Sequence, residues 1–466
     1  MTSPENQQQN RTNQDINAVL RNKDVRIDDI RIVSLDGLDI SIIEYFASIE
    51  IYENLFLNNI TGRISLIDGS NLPTELPLTG QEILIFTFST PGIESISLTV
   101  SLDKISERIP LTNERSQVYD LHFISIPFIV NLTKKVSKSY TGKISEIVRK
   151  IFSSYLSNPD GGEGLVAPNI KIETTFGSHK FVIPNWRPQA AINWLAQRAI
   201  SDTYPDRANY IFYEDLDGFK FVSLTSLMNG PVREVYESIV TREEYDTEDD
   251  YESTHRNIQS PIIVRGFDRS KEIPKGTFSS SLMTHDIVKK EWGTTSYNYT
   301  QEFDSSKSLN NWPILPVGSD YFARHPDAKQ YFSPKHAGIH GGVQANTQEG
   351  EEVQFLEYPD NYRQELWMLT HDSLINQLKS SRIEFDIFGD SNRRVGDRVE
   401  VIVPPMKAVG FNSSEVDTLI SGTYLITQIR HRISLGGHEM RIELSKDSFI
   451  ERMPDFIQYE PEGIHS

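Results

Sequence analysis

Four groups of residues in this chain have types and spacings from which chemistry could be built. In HAGIHGG, His336 and His340 stand four apart, the spacing that presents two imidazoles to one metal on a helix. Two glycines follow and no third ligand is evident, so the segment reads as a loop. His431 and His438 flank a turn; placing it at Gly436-Gly437 pairs Leu435 with His438, Ile433 with Met440 and His431 with Ile442. At about 3.3 Å of rise per residue the two histidines then stand roughly 13 Å apart, too far to share an ion. Asp215 and Asp217 precede Gly218 but lack the other ligands of a calcium loop, and a hairpin turn explains them better. Gly142-Lys143 in TGKIS has no glycine five residues before it, so a phosphate-cradling loop cannot form, and HExxH and GxSxG are absent. The expectation is a protein with no catalytic, cofactor-binding or metal site, and no turnover on peptidoglycan, nucleotides or peptides.

The elements that would position such residues alternate between strands and helices. From Ile27 to Ser125 short β-like runs (ASIEIYENLF, RISLID, EILIFTF, ISLTVSLDKI, YDLHFIS) are divided by Gly, Pro and Asn clusters, a sandwich or barrel pattern. TGKISEIVRKIFSSYL places Ile144, Ile147, Val148, Ile151 and Tyr155 on one helical face. After a loop at SNPDGGEGLVAPN and the β-like IKIETTF and KFVIPN, a second helix starts at Pro188 with Ile192, Leu195, Ala196, Ala199 and Ile200 on one side. YIFYEDLDGFKFVSL then reads as a hairpin turning at Asp217-Gly218. Between about Val240 and Tyr362 periodicity weakens: REEYDTEDDYE is an acidic run suited to a solvated loop, and the whole resembles an insertion. RQELWMLTHDSLINQLK is helical, and RIEFDIF, RVEVIVPP, GTYLITQIRHRISL and HEMRIELS return to strands.

The length of 466 residues suits about three domains, and 38% apolar with 24% charged residues excludes a disordered or fibrous chain. With 65 acidic against 46 basic residues the formal charge is −19, which disfavours duplex-hugging recognition by a basic face and is most simply a matter of solubility. Cysteine is absent, which rules out disulfides, thiolate metal sites and cysteine nucleophiles and is compatible with a reducing cytoplasm. No apolar run approaches the roughly 18 residues of a membrane span, and the N-terminus is too polar for a signal peptide.

The most informative pattern is internal. KISERIPL (Lys104 to Leu111) aligns without gaps on QIRHRISL (Gln428 to Leu435), matching Ile105, Arg108, Ile109 and Leu111 in one segment to Ile429, Arg432, Ile433 and Leu435 in the other by place. Identities fall at Ile, Arg, Ile and Leu. Upstream, LTGQEILIF and RVGDRVEVI put Gly80 and Gly396 two residues ahead of a charged residue and a strand; downstream, LHFIS resembles IELS. Two copies of one strand module are the favoured explanation, and two unrelated antiparallel domains sharing a strand vocabulary are the alternative. Period-two alternation would give Leu111 and Leu435 an apolar face with their isoleucines, and charged substitutions at Ile429 and Ile433 would then damage folding or assembly.

ENLFLNNITGRISLIDGSNLPTELPLTGQE, PQAAINWLAQRAISD followed by YIFYEDLDGFKFVSL, and RVGDRVEVIVPP with SGTYLITQIRHRISL together resemble the central baseplate hub protein of contractile-tailed bacteriophages of the T-even type. More distantly they are similar to the hub portion of the type VI secretion spike protein VgrG. The likeness covers about two thirds of the chain and leaves Val240 to Tyr362 unmatched. It implies a homotrimer of subunits with two tail-tube-like β domains each, forming a pseudo-sixfold ring between a sixfold tail tube and a threefold spike. It also implies a virion protein assembled in the host cytoplasm, with no catalytic residues to carry over and no stable membrane association. Its partners would be a central spike protein below, tail-tube or tube-initiator proteins above, tape-measure and baseplate wedge proteins nearby, and viral DNA in transit. A conduit for DNA would need a net acidic or neutral bore.

The expected fold class is therefore β-rich α+β, with two tube-like antiparallel β-barrel or sandwich domains. The divisions are a disordered tail at 1–22, a first β domain at 23–130, an α+β connecting domain at 131–205, a second β domain at 206–240 plus 363–450, an inserted contact domain at 241–362 and a tail at 451–466. Two other functions stay open. One is a cell-wall hydrolase using a carboxylate pair. The other is a glycan-binding tail protein stacking sugars on Trp292, Tyr297, Tyr299, Trp312 and Tyr321 of the insertion.

Overall fold

A computed structural model describes residues 25–452 apart from 35, 77, 91–93, 112–115, 158–167, 206, 239–256, 287–289, 305–306, 316–322, 335–363 and 406–415. The polar tail at 1–22, the acidic run, Tyr321, His336 and His340, and nearly all of the C-terminal tail lie outside the described residues.

The alternating segments of the first 125 residues form seven strands: β1 (Arg26–Val33), β2 (Asp39–Ser41), β3 (Phe46–Asn54), β4 (Thr61–Asp68), β5 (Ile83–Ser89), β6 (Ile96–Pro110) and β7 (Gln117–Ser125). Every second residue of β4 and β5 is buried, so Ile64 and Leu66 share an apolar core with Leu84, Phe86 and Phe88. Helix α1 (Ile126–Thr133) leads out of this N-terminal module.

The connecting unit holds β8 (Val136–Gly142), helix α2 (Ile144–Ile151), β9 (Ile170–Ile172), β10 (His179–Trp186), helix α3 (Pro188–Arg198), β11 (Tyr210–Asp215) and β12 (Gly218–Ser223). Ile144, Ile147, Val148 and Ile151 are all buried, as their helical spacing requires. The hairpin β11–β12 pairs in parallel with β9, and it has no solvent face. Tyr210, Phe212, Phe219 and Phe221 pack into the connecting unit, while Ile211, Tyr213 and Val222 pack into the core of the C-terminal strands.

Next come β13 (Val232–Ser238), β14 (Asn257–Ile258) and β15 (Ile263–Arg265), then β16 (Ser279–Asp286), β17 (Glu291–Asn298), β18 (Trp312–Pro313), β19 (Gln330–Pro334) and helix α4 (Gln364–Leu378). Strands β16, β17 and β19 form a small sheet over a separate core of Phe278, Leu282, Tyr299, Ile314 and Leu315. Tyr297 and Tyr299 are buried in it, which removes them as sugar-stacking platforms; Trp292 remains exposed. The chain ends with β20 (Ser381–Phe388), β21 (Arg398–Ile402), β22 (Gly422–Ser434), β23 (Gly437–Lys446) and β24 (Ser448–Phe449), the last pairing with β18 and tying the insertion to the C-terminal module.

One sheet of 14 strands runs through both ends of the chain in the order β14-β13-β21-β22-β3-β4-β7-β6-β5-β1-β2, with β23, β20 and β15 branching from β22. The fold is a β-rich α+β protein of several sheets. Among the described residues no pairing closes a barrel.

Gly62 on β4 lies opposite Phe123 of β7, whose ring covers it. A Cβ there would stand 2.2 Å from Phe123 Cζ and 2.3 Å from the Glu50 carbonyl oxygen. The backbone oxygen cannot move aside without breaking the sheet. Gly62→Ala is therefore expected to cost about 1–3 kcal/mol or more of stability, read as a lower denaturant midpoint with unchanged slope.

Candidate assembly interface

The N- and C-terminal modules meet along one antiparallel ladder, from Gln428 opposite Asn54 to Ser434 opposite Ser48. Alternation divides its side chains between two faces. On the core face Ile433 enters the N-terminal core, and Leu55, just past β3, enters the C-terminal one. Ile429 and Ile433 are 1% and 0% exposed, the burial that makes a charge at either position costly.

The other face is polar and closely paired. Glu50 accepts hydrogen bonds from Arg63 (3.0 Å), Arg430 (2.5 Å) and Tyr52. Burial alone would raise its pKa, but these three donors outweigh that and hold it at about 2. Arg63 also reaches Asp120 (3.2 Å), and farther along Arg441 binds Asp386 (2.6 Å), Arg265 binds Glu384 (2.9 Å) and Arg382 binds Glu443 (3.3 Å). Arg432 stands opposite Glu439.

On the core face the ladder carries one ionisable chain. Glu53 Oε1 lies 2.7 Å from His431 Nε2, and His431 Nδ1 lies 3.2 Å from His438 Nε2, the two rings stacking 5.4 Å apart. This corrects the 13 Å separation expected from the sequence. The turn falls one residue earlier, on Leu435-Gly436, so Ser434 pairs with Gly437 and Ile433 with His438. Diagonal neighbours on one face are within reach of each other's rings. The same shift puts Leu435 at the turn tip, 84% exposed, rather than on the apolar face. Gly389 makes room for the second ring, since a Cβ there would stand 2.0 Å from His438 Cγ. Among the described residues no group of three or more His, Cys, Asp or Glu could hold a metal ion.

The hairpin of the connecting unit closes this seam from below. Leu216 N donates to Glu53 Oε2 (3.3 Å), Ile60 N and Ser125 Oγ donate to Glu214, and Arg394 Nε donates to Asp217 (2.9 Å). Asp215 pairs with Lys220, so the DLDG turn is a structural plug. Burial pushes Glu53 and Asp215 up to about 7 and Glu214 up to about 8, and pushes His431 down to about 3. His431 and Glu53 thus form a neutral hydrogen bond at low to neutral pH rather than an ion pair. Sequence reading missed this network because Glu53, Glu214 and His431 are far apart in the chain, and only the strand pairing brings them together.

Ile105, Arg108 and Ile109 lie on β6 and Ile429, Arg432 and Ile433 on β22. In the N-terminal module neighbours run β5-β6-β7-β4-β3, and in the C-terminal module β21-β22-β23-β20-β15. Ile105 pairs with Leu121 and Ile429 with Ile442; Leu102 pairs with Phe123 and Ile426 with Leu444. One bulge residue interrupts each ladder, Asp103 and Thr427, at the same offset that carries Ile105 onto Ile429. Gly80 (φ +85°) and Gly396 (φ +88°) both take left-handed turns beside that point, Gly80 against Leu102 and Asp103, Gly396 donating to the Ile426 carbonyl (2.8 Å). The flanks differ, because β1 runs antiparallel to β5 while β13 runs parallel to β21.

Beyond Ser106 the likeness stops. A second bulge, with Glu107 at φ +55°, turns Ile109 to face Val118 on the polar side, whereas Ile433 faces the core. Ile105, Ile109 and Leu111 are 38%, 57% and 36% exposed, so the shared apolar face expected of them is absent within one chain. Arg108 instead reaches Gln117 and Asn71.

No family model matches the chain. Among curated proteins it is similar to the probable baseplate hub protein gp334 of Vibrio phage KVP40, 24% identical over 430 residues, which covers 90% of this chain and 94% of that one. Among solved structures it is similar to a tail protein from Neisseria meningitidis MC58 (TM-score 0.48, 10% identity, 90% and 96% of the two chains). It is also similar to the type VI secretion component c3393 of E. coli (TM-score 0.37, 9% identity, 93% and 80%). The similar proteins are phage baseplate and tail proteins and a type VI secretion component. The curated similarity, to a baseplate hub protein of a T4-like phage, runs along nearly the whole of both chains.

The buried carboxyls give stability a defined pH dependence. Between their unfolded values near 4 and their folded values of about 7 to 8, the folded chain holds protons that the unfolded chain has lost, so their contribution is full below pH 4 and falls as pH rises. His431 acts oppositely, weakening the fold as pH drops below its unfolded value of about 6.5. Glu53→Gln keeps a neutral partner for His431 and removes one titration. Urea midpoints at pH 5, 7 and 9 are expected to show the loss of Glu53's share of the alkaline decline, up to about 3 kcal/mol at roughly 1.4 kcal/mol per pKa unit.

Proposed function

We propose that the chain is the hub of a phage tail baseplate, a homotrimer whose two β modules per subunit make a pseudo-sixfold ring between a sixfold tail tube and a threefold central spike. The observation that carries this reading is the seam: two modules with matching strand order, register and bulge, joined edge to edge in one sheet. A subunit with two similar modules offers six similar edges on one side and three identical units on the other, which is what a symmetry adaptor has to present.

The polar face of the seam lines the conduit in this reading, since the connecting hairpin covers the apolar face. Its arginines are held by Glu50, Asp120, Asp386, Glu384 and Glu443, so they do not form a row of free cations for phosphates. DNA can then pass without adhering. The partners that follow are a spike protein below, tube or tube-initiator proteins above and tape-measure and wedge proteins nearby, in a virion assembled in the host cytoplasm.

Light scattering on purified protein is expected to report three chains. A dimer or a hexamer would sink the ring. On the trimer, duplex DNA retention at physiological salt and peptidoglycan hydrolysis are both expected to be absent; hydrolysis lost on changing one carboxylate would instead make the protein an enzyme.

A further inference from the structure

The ladder between β3 and β22 has a counterpart with one half missing. In the C-terminal module, Gln428 to Ser434 of β22 are covered on their outer edge by β3. In the N-terminal module the corresponding stretch of β6 begins at Lys104; β5 pairs with β6 only as far as Ser101, and among the described residues no strand covers the edge beyond it. The strand that corresponds to β3 is β15, which pairs with β20 as β3 pairs with β4 and is likewise uncovered on its far side among the described residues. Each chain therefore has one filled seam and the two separate halves of a second.

Both open edges carry exposed apolar side chains. Ile263 and Val264 of β15 are 47% and 49% exposed, and Ile105 of β6 is 38% exposed although its counterpart Ile429 is buried under β3. Open apolar edges invite pairing with another chain unless assembly covers them.

We propose that β15 of one copy pairs antiparallel with the Lys104 to Ser106 edge of β6 in the next copy, in the register that β3 takes on β22. This rests on the ring reading above and names its intersubunit contact. The register follows from the ladders. Tyr52 pairs with Arg430 and, through β4, with Thr61; Arg265 pairs with Arg382, which stands on β20 where Thr61 stands on β4. Arg430 lies one residue after Ile429, as Ser106 lies one after Ile105. Arg265 thus falls opposite Ser106 of the neighbour. Gly266, where a Cβ would meet nothing within 4 Å, falls opposite Ile105 and leaves space for its side chain. The contact joins two different surfaces, head to tail, so it extends the sheet from copy to copy until the ring closes.

The absence of cysteine in the chain makes disulfide trapping clean. Directly opposed residues of an antiparallel pair have Cα atoms about 4.5–5.5 Å apart, within disulfide range. Ser106→Cys with Arg265→Cys in one chain, oxidised and run without reductant, is expected to give covalent species up to three chains, reversed by reductant. Tyr52→Cys with Arg430→Cys is the internal control and is expected to link within a chain, with no gain in mass. Co-assembled single variants, S106C with R265C, are expected to yield covalent dimers containing one of each. A light-scattering trimer in which the control links but S106C and R265C do not would overturn the proposed contact and leave the ring standing. A monomer or dimer in solution would overturn both.

Discussion

Everything in this molecule hangs on the pairing of β3 with β22, two strands from opposite ends of the chain. A sheet edge carries unpaired N–H and C=O groups, and an isolated module would have to protect them. Here each module covers an edge of the other. Their cores exchange side chains across the junction, Leu55 going one way and Ile433 the other. The C-terminal module thus cannot complete its packing without the first 55 residues, although the connecting unit and the insertion intervene in sequence.

The connecting unit is more than a spacer. Its hairpin is buried on both faces and delivers Glu214, Leu216 and Asp217 to the seam, where they meet Ile60, Ser125, Glu53 and Arg394. Burying several carboxyls in one place is costly unless each is hydrogen-bonded or kept neutral, and both devices are used. Glu214 accepts two hydrogen bonds, Asp215 has Lys220, and Glu53 shares a neutral bond with His431. The same chemistry that catalytic carboxylates use to raise their pKa serves here to lock three units together. A raised carboxyl pKa is a pointer to function only when a cleft accompanies it.

The polar face obeys the opposite economy. Arg63 and Arg430 lie on Glu50, Arg441 on Asp386, Arg265 on Glu384 and Arg382 on Glu443, and Glu50 is held far below its ordinary value by three donors. A surface built this way is locally balanced in charge, whatever the chain's net charge. The overall −19 therefore says little about this face; the pairing across strands decides its field.

The sequence by itself determined the strand alternation of both modules, the amphipathic helix at Ile144 to Ile151 and the hairpin at Asp217-Gly218, because these depend on periodicity and turn chemistry within a few residues. The tertiary structure alone decided the rest. Whether the turn after β22 began at Leu435 or Gly436 was a matter of one residue, yet it moved His438 from beyond reach to 3.2 Å from His431. The second bulge in β6 turned Ile109 away from the face its counterpart occupies, which no gapless alignment could register. The insertion, without periodicity, found its order in a compact core around Tyr297 and Tyr299. In each case local propensity was satisfied by more than one arrangement, and the choice fell to ladder register and burial, which are set by residues hundreds of positions away.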